Sequence, residues 1–204
     1  MLDRIARRGI DRPLNWFAGA LARLRISANA ITIIGFGIGV LACVAIAFQW
    51  YLVALGLILL NRLADGLDGA LARRTGTSDI GGYLDIVLDT LFYSGVPFAF
   101  AIAQPEALLP AAFLIYSFVG TGGSFLAYGI IAAKRKMSTE RSGKKSFFYA
   151  AGLMEGTETI LFFVLFCLFP EQFALLAWIF GALCWLTTLA RILDAVRTFR
   201  TPIP

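Results

Sequence analysis

Apolar residues run along this chain in six long blocks with short polar connections, at roughly 27–48, 52–72, 81–103, 108–131, 147–169 and 173–193. Each is close to the ~20 residues a helix needs to cross a hydrocarbon core of about 30 Å. The pattern predicts an all-α, polytopic membrane protein with six transmembrane helices. Ahead of the first block, Pro13 can open a helix in which Leu14, Phe17, Leu21 and Leu24 recur at helical spacing, while Asn15, Arg23 and Arg25 lie off that stripe. This predicts an N-terminal amphipathic helix lying in the membrane interface. The expected organisation is a juxtamembrane segment over 1–26 followed by a six-helix catalytic domain over 27–204. Arginines interrupt every apolar run in 1–26, so that segment does not read as a signal peptide. No period of 20–50 residues marks a repeat array.

Six spans consume most of the 204 residues and leave no room for a soluble catalytic domain, so any chemistry must sit among the helices. Composition agrees: 59% of residues are apolar and the mean hydropathy is +0.78. The net charge of +5 does not point to nucleic acid, because of where the charge lies. Lys and Arg fall in four places: Arg4 to Arg25, then Arg62, Arg73 and Arg74, then Lys134 to Lys145, then Arg191, Arg197 and Arg200. The connections near Gln49–Trp50, Gln104–Pro110 and Phe169–Phe173 have none. By the positive-inside rule both termini and both basic loops face the cytoplasm, as in a bacterial cytoplasmic membrane protein. The loop from Lys134 to Lys145 suits contact with anionic membrane lipids. Cys43, Cys167 and Cys184 all sit inside apolar blocks without metal-ligand spacing and read as packing residues. The chain contains no His, which excludes His-based acid–base catalysis and His-ligated zinc.

The chemistry concentrates between Asn61 and Asp89, where Asp65, Asp68, Asp85 and Asp89 lie at or just inside the ends of two adjoining blocks. One Asp at the centre of a membrane helix costs roughly 2.5–3.5 kcal/mol, so four demand compensation. Asp65 and Asp68 are three apart and Asp85 and Asp89 four apart, so each pair shares a helix face, and the short hairpin between them lets the pairs converge. Carboxylates without His or Cys call for a hard cation, Mg²⁺ or Mn²⁺, and two ions in one such cage suit displacement at phosphorus. Gly66 and Gly69 follow the acids and Gly81–Gly82 open the third block, which permits close approach of a bulky ligand. Arg73 lies near Asp65 and Asp68 along the helix, suited to a pyrophosphate oxygen.

These residues resemble the signature of the CDP-alcohol phosphotransferases, D-x-x-D-G-x-x-A-R, a spacer, then G-x-x-x-D-x-x-x-D. Here it reads Asp65, Asp68, Gly69, Ala72 and Arg73, then Gly81, Asp85 and Asp89. The spacer holds seven residues where that family usually has eight or nine, and Ala28 stands in place of a proline, although Asn29 and Thr32 of the accompanying pattern remain. The resemblance implies transfer of a phosphatidyl-type group from a CDP-linked lipid, such as CDP-diacylglycerol, to an alcohol, with release of CMP, in phospholipid biosynthesis. It implies Asp65, Asp68 and Asp85 as principal metal ligands, and Asp89 as general base with a possible share in the metal. Gly66, Gly69, Ala72, Arg73, Gly81, Asn29 and Thr32 would form the CDP site, and a homodimer is implied.

The acceptor stays open, as a small alcohol or a sugar or polyol phosphate. Glu155 and Glu158, three apart early in the fifth block, would favour hydroxyl or amine acceptors, whereas Lys134, Lys136, Lys144, Lys145 and Arg191 could hold an acceptor phosphate. Two rival functions share the acid-rich pattern: a membrane-embedded prenyltransferase with metal-bound pyrophosphate, and a cation transporter.

Overall fold

The computed structural model describes residues 14–137, 154 and 156–200. Every regular element among them is helical. We number the α-helices α1 (residues 14–23), α2 (Ala28–Ala47), α3 (Tyr51–Thr75), α4 (Asp79–Ala103), α5 (Leu108–Lys134), α6 (Gly156–Leu168) and α7 (Phe173–Phe199). Short 3₁₀ turns, Pro105–Ala107 and Pro170–Gln172, lead into α5 and α7. Serines start two of the helices. Ser27 Oγ accepts from the Ala30 amide at 3.2 Å at the head of α2, and Ser78 Oγ accepts from the Gly81 amide at 3.1 Å at the head of α4. Between α3 and α4 only Gly76 to Ser78 are non-helical, and Gly76 holds φ +106, a conformation that glycine adopts without strain.

Among the described residues, four helices, counting the 3₁₀ turns that lead into α5 and α7, are long and apolar enough to cross a membrane: α2, α4, α5 and α7. The other two expected spans differ for separate reasons. Helix α3 has 25 residues, about 37 Å at 1.5 Å per residue, but Arg62, Asp65 and Asp68 interrupt its apolar sequence. Helix α6 has 13 described residues, and the first part of its block lies outside the described residues. Helix α1 corrects the expected stripe. Leu14, Ala18, Leu21 and Ala22 pack against Leu67, Ala70 and Leu71 of α3, while Phe17 and Leu24 are exposed together with Trp16. The smaller Ala18 lets α1 approach α3 more closely than a Phe-led face could.

Helix α2 packs against both α3 and α4, α4 against α5, α5 against α7, and α3 against α6. An aromatic core joins these pairs, with Phe92, Phe100, Phe163, Phe166, Phe173 and Phe180 all buried. Phe100 stacks on Phe173 with centroids 4.3 Å apart, and Phe162 stacks on Phe180 at 4.3 Å. The three connections that lack Lys and Arg lie together at one end. Gln49 Nε2 donates to the Ala103 carbonyl at 3.1 Å, and Gln104 Nε2 donates to the Pro170 carbonyl at 3.0 Å and to Tyr51 Oη at 3.2 Å. Helix α3 therefore runs from this end toward the hairpin that carries Arg73 and Arg74.

Where α2 crosses α3 and α4, a Cβ on Gly39 would fall 2.7 Å from Phe92 Cδ2 and 3.1 Å from Asn61 Nδ2. Gly39→Ala is expected to destabilise the protein by about 1–3 kcal/mol. Gly37→Ala, where nothing lies within 4 Å, is expected to be neutral or stabilising by up to about 1 kcal/mol. Thermal unfolding of both variants in the same detergent checks the pair.

Candidate active site

The hairpin Gly76–Ser78 turns the chain so that the C-terminal part of α3 and the N-terminal part of α4 face each other, which brings the expected carboxylates together. One oxygen each from Asp65, Asp68 and Asp85 lies within 4.8 Å of the other two. Asp68 is buried, Asp65 half-buried, and Asp85 faces solvent. From α2, Thr32 Oγ1 donates to Asp68 Oδ2 at 2.6 Å, which fixes the most buried of the three. The recess also takes in Gly35 and Phe36 of α2, Asn61 and Arg62 of α3, and Leu88 and Asp89 of α4.

Asp89 stands apart from the other acids in its partner. Arg62 Nη2 donates to Asp89 Oδ1 at 2.7 Å, and Arg62 Nη1 donates to Tyr93 Oη at 3.1 Å and lies 3.7 Å from Asp65 Oδ2. Arg62 Nε donates to Asn61 Oδ1 at 2.8 Å, and Asn61 Nδ2 in turn donates to the Gly35 carbonyl at 2.8 Å. The guanidinium carbon also sits 4.9 Å from the Phe92 ring centroid and 5.2 Å from that of Tyr93.

Like charges this close repel. At 4.8 Å, two carboxylates oppose each other by about 3–4 kcal/mol at an effective dielectric constant near 20, and by less at solvent-facing Asp85. One guanidinium cannot offset four carboxylates, so the arrangement carries surplus negative charge. The donor set is all oxygen, three carboxylates and a neighbouring hydroxyl, on a chain without His. That set fits a hard divalent cation, for which Asp65, Asp68 and Asp85 are the ligands at hand.

The other expected residues divide among different surroundings. Thr32 joins the acids. Asn29 lies at the hairpin side, where a Cβ on Gly81 would come 2.9 Å from its Oδ1. A Cβ on Gly66 would instead meet Leu14 Cδ1 at 3.0 Å, so this glycine admits α1 against α3. Arg73 is exposed on the last turn of α3, beside Gly69, and Ala72 is half-buried next to it. Arg191 lies in a second cleft, with Phe125, Tyr128, Gly129 and Asp194, and its Nη1 donates to the Thr121 carbonyl at 2.9 Å. Lys134 and Lys136 are exposed at the end of α5, and Glu158 is half-buried in the first turn of α6. Glu155, Lys144 and Lys145 lie outside the described residues. Sequence reasoning counted Arg62 only as a charge near a helix end and gave Asn61 no role. The available signal was an arginine half-way along the helix, directly after its apolar first half and one turn before Asp65.

The family model for CDP-alcohol phosphatidyltransferases matches residues 25–192. The chain belongs to that family. The match spans both acid pairs and sets aside the prenyltransferase and transporter alternatives. As a CDP-alcohol phosphatidyltransferase, the protein is an integral membrane enzyme of phospholipid synthesis whose acceptor the family does not specify. Among its relatives is the inner membrane protein YnjF of Escherichia coli, 52% identical over 202 residues that cover 98% of each chain. An archaetidylinositol phosphate synthase of Pyrococcus horikoshii is 39% identical over 103 residues, 50% of this chain and 54% of that one. The fold is similar to that of the phosphatidylinositol phosphate synthase of Mycobacterium tuberculosis solved with CDP-DAG bound. That likeness has a TM-score of 0.66, 19% identity, and coverage of 91% of this chain and 94% of the other.

Removing the Thr32 hydroxyl leaves Asp68 without its shortest hydrogen bond. Thr32→Val is expected to weaken Mn²⁺ binding by about 10-fold, within the range typical of lost outer-shell partners. The free-Mn²⁺ electron paramagnetic resonance signal during titration measures it.

Proposed function

We propose that this transferase moves a phosphatidyl group from a CDP-diacylglycerol-type donor to a small polyol phosphate, releasing CMP on the cytoplasmic side of a bacterial inner membrane. The observation that carries the reading is the convergence of Asp65, Asp68 and Asp85 on one hairpin, with Asp89 one turn further along α4.

In this reading Asp65, Asp68 and Asp85 hold Mg²⁺ or Mn²⁺, two ions per site. When bound, the ions neutralise the donor's pyrophosphate and the departing CMP. Gly69, Ala72, Arg73, Gly81 and Asn29 line the path to the nucleotide at the hairpin, with Arg73 for a phosphate oxygen. Asp89 takes the proton from the acceptor hydroxyl. The acceptor oxygen then bonds to the phosphorus that carries the diacylglycerol, the bond from that phosphorus to the bridging anhydride oxygen breaks, and CMP keeps the electron pair. The site opens on the face that the positive-inside rule assigns to the cytoplasm, where the nucleotide and acceptor are soluble. A homodimer, implied by the family resemblance, belongs to the same reading.

Two observations favour a polyol phosphate over a neutral alcohol. The cleft of Arg191 pairs a guanidinium, which suits phosphate, with Asp194, whose Oδ2 is buried without a hydrogen-bond partner among the described residues and could accept from a hydroxyl. The Pyrococcus relative is named for an inositol phosphate product, and so is the Mycobacterium enzyme. Glu158 and Lys134 remain secondary acceptor contacts in this scheme.

The test is CMP release by purified protein with CDP-diacylglycerol, Mg²⁺ or Mn²⁺, and a panel of glycerol 3-phosphate, inositol phosphate, serine, inositol and choline. Metal-dependent CMP is expected with a polyol phosphate only. Release with a neutral alcohol instead would overturn the acceptor, and no release with any acceptor would overturn the donor chemistry. Asp89→Asn is expected to lower turnover by about 10²–10⁴-fold. Arg191→Gln is expected to raise the KM of the phosphorylated acceptor by about 10-fold or more while leaving that of the lipid donor unchanged, the signature of a lost binding contact.

A further inference from the structure

We propose that Arg62 is the positioning residue that holds Asp89 ready as base and keeps its carboxylate out of the three-acid metal group. The proposal rests on the functional reading above, which gives Asp89 its role.

The argument begins with cost. Arg62 lies mid-way along the 25-residue helix α3 with its side chain largely buried, and a buried, unpaired guanidinium is expensive. Were solubility the concern, any residue without charge would serve better. Arg62 is instead secured on every side. Its side chain is 15% exposed, its Nε donates to Asn61 Oδ1, its Nη1 donates to Tyr93 Oη, and its face lies against the Phe92 and Tyr93 rings. Asn61 is itself buried and anchored to the Gly35 carbonyl, so the fork is fixed through α2, α3 and α4 together. A planar fork held this way presents Nη2 in a single direction, and that direction is Asp89 Oδ1 at 2.7 Å.

The consequence is a division among four chemically identical side chains. Three carboxylates are within 4.8 Å of one another, and Asp89 is not among them. Its carboxylate is claimed by a guanidinium that touches Asp65 only at 3.7 Å. Asp89 Oδ1 is thereby committed to Arg62, and the Tyr93 hydroxyl, itself held by Arg62 Nη1, adds a second hydrogen bond to the same carboxylate. A general base needs such fixed geometry at its proton-accepting atom.

A different role would make Arg62 a plain structural ion pair that helps two helices assemble. The two roles separate in a double-mutant cycle, because residues that act through one another are not additive. With Asp89 present, Arg62→Gln is expected to lower kcat by about 10²-fold and to leave the KM for CDP-diacylglycerol within about threefold. In the Asp89→Asn background, the same change is expected to cost less than about twofold of the residual rate. Arg62→Lys, which keeps the charge and loses the fork, is expected to recover only part of kcat.

A second cycle reads the metal alone. Asp89→Asn is expected to change Mn²⁺ affinity by no more than about threefold when Arg62 is present, and by about 10-fold or more in the Arg62→Gln background, where a freed Asp89 can join the ligands. Equal effects in both backgrounds, in turnover and in Mn²⁺ binding, would overturn the proposal. Should Arg62→Gln fail to fold, Asn61→Ala removes the acceptor that anchors Nε of the fork and leaves Tyr93 and Asp89 in place. It is then expected to lower kcat by about threefold or more with Asp89 in place, and not in the Asp89→Asn background. Because Mn²⁺ binding does not need turnover, wild-type protein that binds Mn²⁺ yet releases no CMP would sink the functional reading while the second cycle still decides the role of Arg62.

Discussion

A buried charged side chain half-way along a helix must find its partners inside the protein, and the interior around Arg62 is organised by that demand. The arginine side chain is largely withdrawn from its surroundings, so its donors need acceptors within the protein. Its donors are met by Asn61, Tyr93 and Asp89, and its faces by aromatic rings. Satisfying them ties α4 to α3 through side chains, while both helices pack on α2. Asn61 extends the same constraint to α2 through the Gly35 carbonyl. The three helices that bear the chemistry are therefore locked by hydrogen bonds where their apolar surfaces alone would permit sliding. The low local dielectric strengthens those bonds and makes the loss of any one costly.

The bundle separates this polar region from a dry one. Toward the end where the three uncharged connections meet, Phe100, Phe166 and Phe173 pack ring on ring. Between the two regions Phe92 belongs to both, touching Phe163 on its way into the core and lying beneath the Arg62 guanidinium. An aromatic floor of this kind is rigid, and it gives the acids a fixed base on which carboxylates can be held close despite their repulsion. The open hairpin end then supplies access.

The two clefts differ in the helices that build them. The acid site belongs to α2, α3 and α4, whereas Arg191 and Asp194 reside on α7 and face Phe125, Tyr128 and Gly129 of α5. Helix α5 packs against α4 and against α7, and so links the two sites. In the proposed function this division separates the donor chemistry from the acceptor contacts. The signature lies wholly on one hairpin, and a change on α5 or α7 can alter the second cleft without moving an acid.

Much of this was legible in the residues before any coordinates. Apolar blocks fixed the helices because a membrane helix must satisfy its own backbone and present apolar side chains to lipid, a rule with almost no tertiary input. The spacings of Asp65 to Asp68 and Asp85 to Asp89 determined shared faces for the same reason, since three or four residues make one helical turn. The distribution of Lys and Arg separated the two ends, and the glutamine bonds among the uncharged connections gather one of them in space. Other features depended on neighbours distant in sequence. That Gly66 receives Leu14, that α1 packs through Ala18 instead of Phe17, and that Arg62 selects Asp89 from four equal acids all follow from which surfaces meet. No local pattern encodes such choices, because carboxylates of one type are chemically alike until a particular partner reaches one of them.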